Sequence, residues 1–128
     1  MRALWLLPLL TATLVAADVS GKWAGNIEVE DTAGGAAIHA AIRAEFSQKA
    51  EAVTGKIGRE NEGYEAIQNG KLVDGKRLVF DVSYPDADGA FKFELVLDGD
   101  RLEGKMTGTM DGGPISGKVR LARSPQYP

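Results

Sequence analysis

The stretch from Arg77 to Thr109, RLVFDVSYPDADGAFKFELVLDGDRLEGKMTGT, decides the fold. Apolar side chains alternate with polar ones through three successive runs, and successive side chains of a β-strand point to opposite faces of a sheet. The runs are separated by Pro85-Asp86-Ala87-Asp88-Gly89 and by Asp98-Gly99-Asp100, whose residues initiate turns or tolerate a positive φ. The stretch therefore predicts three consecutive antiparallel strands.

The same alternation continues on both sides of this stretch. It predicts about eight short strands in all, over residues 21–30, 37–48, 52–58, 64–73, 77–84, 90–97, 101–109 and 115–123. Asp74-Gly75 is a two-residue hairpin signal between the fourth and the fifth of them.

One segment, Ala36–Val53, allows two interpretations. It is rich in residues that favour a helix, and Ile38, Ile42 and Phe46 are spaced four apart, as along one face of a helix. Polar and apolar residues nevertheless alternate between them, as in a strand, and a lone helix among hairpins would need a surface to pack on. We favour the strand.

Glycines recur inside the proposed strands. Gly-Lys followed by an apolar residue is found at residues 21–23, 55–57, 70–72, 104–106 and 117–119. A glycine within a strand marks a bend or a close approach of two backbones, and bent strands close a sheet into a barrel. We predict an all-β domain, a small antiparallel up-and-down β-barrel. Small inward residues would leave space inside it, whereas Phe46, Phe80, Phe91 and Phe93 would fill it, so we expect a mostly filled barrel with a shallow apolar mouth.

The N-terminus has the pattern of a signal peptide. Arg2 precedes the apolar run Ala3–Val15, and small residues follow at Ala16-Ala17. The run is shorter than the roughly 20 apolar residues of a membrane-spanning helix. We therefore expect a signal peptide over residues 1–17, one barrel domain over 18–123 and a tail over 124–128. The protein would be periplasmic or extracellular, with no membrane span after cleavage.

The composition excludes several classes of function. The formal net charge of the chain is −3, and it becomes more negative when Arg2 leaves with the leader. Nucleic-acid binding needs a clustered positive face, so we expect no nucleic-acid partner. The chain has no cysteine, which removes thiolate chemistry and leaves the core to stabilise the fold.

The chain resembles a group of small exported bacterial domains. They open with Asp-Ile/Val-Ser/Thr-Gly-x-Trp-x-Gly, as in residues 18–25, and continue with Val-Thr-Gly-x-Ile, as in residues 53–57. A Gly-Lys-Val-Asp-Gly-like turn at residues 70–75 and a strand closed by arginine at residues 119–123 complete the likeness. This resemblance implies the fold and brings no activity.

Gly21-Lys22-Trp23 also resembles the Gly-x-Trp opening of lipocalins, avidins and related calycin barrels. That resemblance implies that Trp23 closes one end of the barrel and that a late arginine packs across it, either Arg123 or Arg120. Trp23 is the only tryptophan after residue 17, whereas avidins use further tryptophans around biotin, so biotin binding is not expected.

No catalytic or metal-binding set can be assembled from the sequence. His39 is the only histidine, and the alternation places it on the outer face. The acidic residues Glu60, Glu62 and Glu65 are interpreted as a solvated loop, and the aspartates beside the turn glycines as turn formers. We expect no enzyme activity, no catalytic residues, no metal and no cofactor.

The function predicted for the mature chain is therefore a non-catalytic binding or interaction module. Its partner would be a small apolar molecule at an open end, or a protein met by the loops, and the chain would be a monomer. Aromatic residues dominate such contacts, which makes Trp23, Tyr64, Phe80 and Tyr84 the candidate ligand-binding residues. The alternative is an inhibitor of a secreted hydrolase that acts through the loops Asp31–Gly35 and Arg59–Gly63.

Overall fold

The computed structural model describes residues 18–31, 38–60, 63–84, 89–110 and 113–124. All regular elements within these residues are β-strands, which confirms the all-β prediction. In chain order they are β1 (Gly21–Asp31), β2 (Ile38–Lys49), β3 (Ala52–Arg59), β4 (Gly63–Ala66), β5 (Gln68–Val73), β6 (Arg77–Tyr84), β7 (Gly89–Asp98), β8 (Arg101–Met110) and β9 (Gly113–Arg123). The ambiguous segment around Phe46 is the strand β2.

The strands form one closed antiparallel barrel with eight positions in its wall. Each strand pairs with the next one in the chain, except that β4 and β5 both pair with β3 and not with each other, and β1 pairs with β9 to close the ring. β4 and β5 share one position, which the sequence analysis predicted as a single strand over residues 64–73. They are separate because the β5–β6 register shifts between Gln68 and Lys71, where Asn69 has a φ of 56°. Such a bulge inserts an extra residue and reverses which face the following side chains occupy.

The two ends of the barrel differ in what lies across them. One end holds the connections β2–β3, β5–β6 and β7–β8 together with residues 18–20, and we call it the closed end. The opposite end holds the connections β1–β2, β3–β4, β6–β7 and β8–β9, and we call it the loop end.

The middle of the barrel is filled by aromatic side chains. The rings of Phe80 and Phe93 stack with their centroids 4.8 Å apart, and Phe46 lies 5.7 Å from Phe80 at a tilt. The rest of the described core is apolar and includes Trp23, Phe91 and Met106, and none of the described polar or charged residues is buried. A ligand therefore has no room at this level of the barrel.

The strand glycines mark places where two backbones approach closely, as their position in the sequence predicted. A Cβ atom on Gly25 would run into the carbonyl oxygen of Arg120 on β9, and one on Gly104 would run into that of Glu94 on β7. The space that such a glycine leaves is thus taken by the backbone of the neighbouring strand. These two glycines permit the close approach of the strands and do not enlarge the interior.

Candidate functional site at the loop end

The closed end is sealed by Trp23 and the segment in front of it. Trp23 is 1% exposed, and its indole Nε1 donates a hydrogen bond to the carbonyl oxygen of Val19 at 2.9 Å. Val19 is completely buried, and its backbone N–H donates to Oε1 of Gln48 at 2.9 Å. The first described residues thus lie across this end of the barrel and satisfy the polar groups that they bury.

Arg123 holds this segment from the other terminus. Its guanidinium lies 4.4 Å from the centroid of the Trp23 ring and donates to the carbonyl oxygens of Ser20, at 2.7 Å, and Asp18, at 3.0 Å. Its Nε donates to Oδ1 of Asp100 at 3.0 Å. Of the two arginines that the resemblance offered, Arg123 is therefore the one over the indole, while Arg120 is exposed on the outer face.

The carboxylate of Asp18 is part of the same network. The backbone N–H of Ser20 donates to Oδ1 of Asp18 at 2.7 Å, and this bond is the main reason why the pKa of Asp18 is lowered. The Ser20 hydroxyl and the charge of Arg123 lower the pKa further. Two chain segments about 100 residues apart are thus joined by charge-assisted hydrogen bonds.

The four predicted ligand-binding residues do not line one surface. Trp23 is enclosed at the closed end, and Phe80 is 1% exposed in the middle of the barrel. Tyr64 lies on the outer face and is 43% exposed. Tyr84 is the last residue of β6, at the loop end, and its side chain lies outside the described part of the structure.

Tyr64 borders a shallow groove on the outside of the barrel. The ammonium of Lys56 lies 4.8 Å from the centre of the Tyr64 ring, and Glu45 lies 3.9 Å from the same ammonium. The groove encloses about 460 Å³ between β2, β3 and β4. Its charges pair with one another on an exposed surface, where such pairs contribute little free energy.

The inner wall at the loop end is apolar and partly accessible. Val29, Ala40 and Ile115 pack against the core but keep part of their surface exposed. The register places Ala40 beside Ile27 and Val29 beside Gly117, which makes this a continuous inner surface. We call the partly exposed residues Val29, Ala40 and Ile115 the loop-end cup.

Glu65 adds a carboxylate to the inner face on the opposite side of this end. It lies directly across from Ile57, which is 2% exposed, and residues opposite each other in a sheet share a face. Glu65 is half-buried and has no ion-pair or hydrogen-bond partner among the described residues. The sequence analysis assigned Glu65 both to a solvated loop and to the predicted strand over residues 64–73. The loop interpretation is wrong, because Glu65 belongs to β4.

The other members of that acidic group differ from Glu65. Glu60 follows β3, is exposed, and lies 3.6 Å from Nε of Arg43. Glu62 lies outside the described residues. No sequence signal singles out Glu65. What distinguishes it is the buried residue across from it on the neighbouring strand, and this is known only from the strand register.

The hydrogen-bond ladder of the wall is interrupted beside Glu65, although β4 and β6 approach each other within 8 Å. Among the described strands β4 pairs with β3 alone, and the β5–β6 pairing extends toward the loop end no further than Gln68 and Asp81. The residues of β6 beyond Asp81 therefore face β4 without a ladder of hydrogen bonds between them. The interior at the loop end is bordered on this side by two unpaired strand edges.

The histidine and the turn aspartates form no cluster in the described part of the chain. His39 is 68% exposed, and its Nδ1 lies 3.6 Å from Glu28. No group of three or more His, Asp or Glu residues that could hold a metal occurs among the described residues. The turn residues Asp86, Asp88 and Asp111 lie outside them.

Comparison with known proteins finds no matching family, no matching curated protein and no matching solved structure. The described residues contain no helix of the length and apolar character that crossing a membrane requires. The fold and the geometry of the two ends are therefore the basis for a functional assignment.

Proposed function

We propose that this chain is an exported, non-catalytic binding module of the calycin type that takes a small apolar ligand at the loop end of its barrel. The observation that carries the proposal is the difference between the two ends. Val19, Trp23 and Arg123 seal the closed end, whereas the cup at the loop end keeps apolar inner surface accessible. The calycin relationship is supported by the contact between Trp23 and Arg123 in a closed eight-stranded barrel.

The depth of the site limits its affinity. The stacked rings of Phe80 and Phe93 block the middle of the barrel, so a ligand can bury only a few methylene groups above them. Each buried methylene contributes about 0.8 kcal/mol. Five of them would contribute about 4 kcal/mol, which corresponds to a Kd of about 1 mM before any polar contact is added.

Export is supported by the position of Asp18. The proposed cleavage after Ala17 would leave Asp18 as the first residue, and Asp18 to Ser20 already belong to the folded structure through Arg123 and Gln48. A mature chain that begins at Asp18 would contain the complete closed end. We propose a periplasmic or extracellular monomer, and intact mass and light scattering of the processed protein test both points.

The binding proposal is tested with the neutral dye N-phenyl-1-naphthylamine. Its emission is expected to rise on binding, and Ala40→Leu, which fills the cup, should weaken binding at least tenfold. Ala41→Leu is the matched control, because Ala41 is the next residue of the same strand and is exposed on the outer face. No binding by the unmodified protein, or equal loss in both variants, would refute the proposal.

An inhibitor of a secreted hydrolase is the second candidate. The observation that favours it is that both predicted loops, Asp31–Gly35 and Arg59–Gly63, begin at strand ends on the loop end of the barrel. A panel of secreted proteases and glycosidases assayed with and without the protein tests this. Inhibition that disappears in an Arg59→Ala, Glu60→Ala double variant would support the inhibitor, and unchanged rates across the panel would reject it.

A further inference from the structure

We infer that the ligand of the loop end is a cationic amphiphile, an apolar chain that carries an amine or a quaternary ammonium group, and that Glu65 binds its charge. This inference rests on the proposed function and names the ligand class of that same site. Three features of the loop end carry it: the location of Glu65, its lack of a partner, and the charge of the surrounding chain.

Glu65 faces the interior because of its register. It lies opposite Ile57 on β3, whereas its neighbours Tyr64 and Ala66 line the outer groove. Glu65 as a residue is half-buried and has no partner among the described residues. An ammonium group would give its carboxylate a charge-assisted hydrogen bond, which is stronger than a neutral one.

The break in the hydrogen-bond ladder between β4 and the end of β6 lies beside this carboxylate. Because the two strand edges are not paired there, a ligand chain can lie along the inner wall while its head group stays beside Glu65. The apolar part of the ligand would then contact Ala40 and Ile115 of the cup. A ligand with an apolar chain and a cationic head group can contact the apolar inner wall and pair with the Glu65 carboxylate at the same time.

The charge of the loop end favours a cation. The four connections at this end, residues 32–37, 60–62, 85–88 and 111–112, contain five acidic residues and no lysine or arginine. A net negative charge raises the concentration of cations near a protein and disfavours anions. The acidic balance of the chain acts in the same direction.

Arg59 is the charged residue that could oppose this assignment. It lies opposite Ile42, and so on the inner face, at the very end of β3. Arg59 is exposed and already has an interaction partner. An anionic head group drawn to Arg59 would also meet the negative charge of Glu65, whereas a cationic head group pairs with Glu65.

The inference is tested with three probes that share one apolar chain: octyltrimethylammonium, 1-octanol and octyl sulfate. Their affinities are measured by displacement of N-phenyl-1-naphthylamine at low salt and in 0.5 M NaCl. We expect the cation to bind at least tenfold more tightly than octanol and the sulfate to bind most weakly. Added salt should reduce the preference for the cation, because it screens charges that are partly exposed.

In the Glu65→Gln variant, the affinity for octyltrimethylammonium should fall to within threefold of the affinity for 1-octanol. Glu94→Gln is the matched control, since Glu94 is also half-buried but faces outward on β7, and it should keep the preference. The carboxyl carbon of Glu65, followed by NMR in the unmodified protein, should shift on titration with octyltrimethylammonium and not with octanol. Because this NMR titration uses the unmodified protein, it tests the inference even if the Glu65→Gln variant does not fold.

The outcomes separate the inference from the proposed function. Equal binding of the three probes, a preference that survives Glu65→Gln, or an unmoved Glu65 carboxyl signal would overturn the cationic ligand and leave the apolar site standing. Failure of all three probes to bind would overturn both. Stronger binding of octyl sulfate would show that Arg59 and not Glu65 selects the head group, and would also overturn the inference.

Discussion

Replacing Arg123 with alanine is expected to destabilise the protein far more than the same change at Arg120 on the same strand. Arg123 joins the end of β9 to residues 18–20 and covers Trp23, so its loss affects both chain termini. Its side chain is 30% exposed, which places most of these contacts at the edge of the core.

The magnitude follows from the individual contacts. The cation–π contact with Trp23 contributes about 0.5–2 kcal/mol, depending on how far it is removed from water. The bond to the Ser20 carbonyl is partly buried and charge-assisted, and such a bond contributes about 1.5–3 kcal/mol. The bond to the Asp18 carbonyl is exposed and Asp100 is 83% exposed, so these two add little. We expect a loss of about 2–5 kcal/mol in the free energy of unfolding.

The assay is urea unfolding followed by the emission of Trp23, the only tryptophan after residue 17. Arg120→Ala is the control, because Arg120 is exposed on the outer face of the same strand and should change stability by less than about 0.5 kcal/mol. The emission of folded Arg123→Ala should also shift to longer wavelength as water reaches the indole. Equal stability of the two variants would refute the view that Arg123 locks the closed end.

Three further predictions concern pH, the wall and the core. The pKa of Asp18 is lowered in the folded state, so its contribution to stability is present above its unfolded pKa of about 3.9 and is lost as pH falls through the folded value. Asp18→Asn should therefore reduce the loss of unfolding free energy that acidification causes, measured by urea unfolding at a series of pH values. The same loss in the variant and the unmodified protein would contradict this. Gly104→Ala should destabilise by about 1–3 kcal/mol, because the new methyl group meets the backbone of Glu94, and thermal unfolding would detect it. Phe80→Ala should cost about 3–5 kcal/mol in urea unfolding and Tyr64→Ala less than about 1, and similar costs for both would contradict their assigned faces.

Much of the barrel could be predicted because its signals are local. Alternation between Leu78 and Val82 and again between Phe91 and Leu97 depends only on the two-residue period of a strand, and the structure has strands there. Gly104 was predicted to mark a bend or a close backbone approach, and the structure has the close approach, since only glycine lacks the atom that would collide. Arg123 could be named as a partner of Trp23 only through a resemblance, and residues 18–20 were not foreseen as part of the seal.

The sequence by itself determined which segments are strands, where they turn and that they enclose an apolar interior, because these follow from the periodicity of side chains along one chain. Only the tertiary structure decided which side of the wall residues 63–66 present. Uninterrupted alternation counted back from Leu72 would have turned Tyr64 inward, but the bulge at Gln68–Lys71 reverses the faces and turns Glu65 inward instead. The reversal depends on pairing with β3 and β6, which are distant contacts, and no local pattern encodes them.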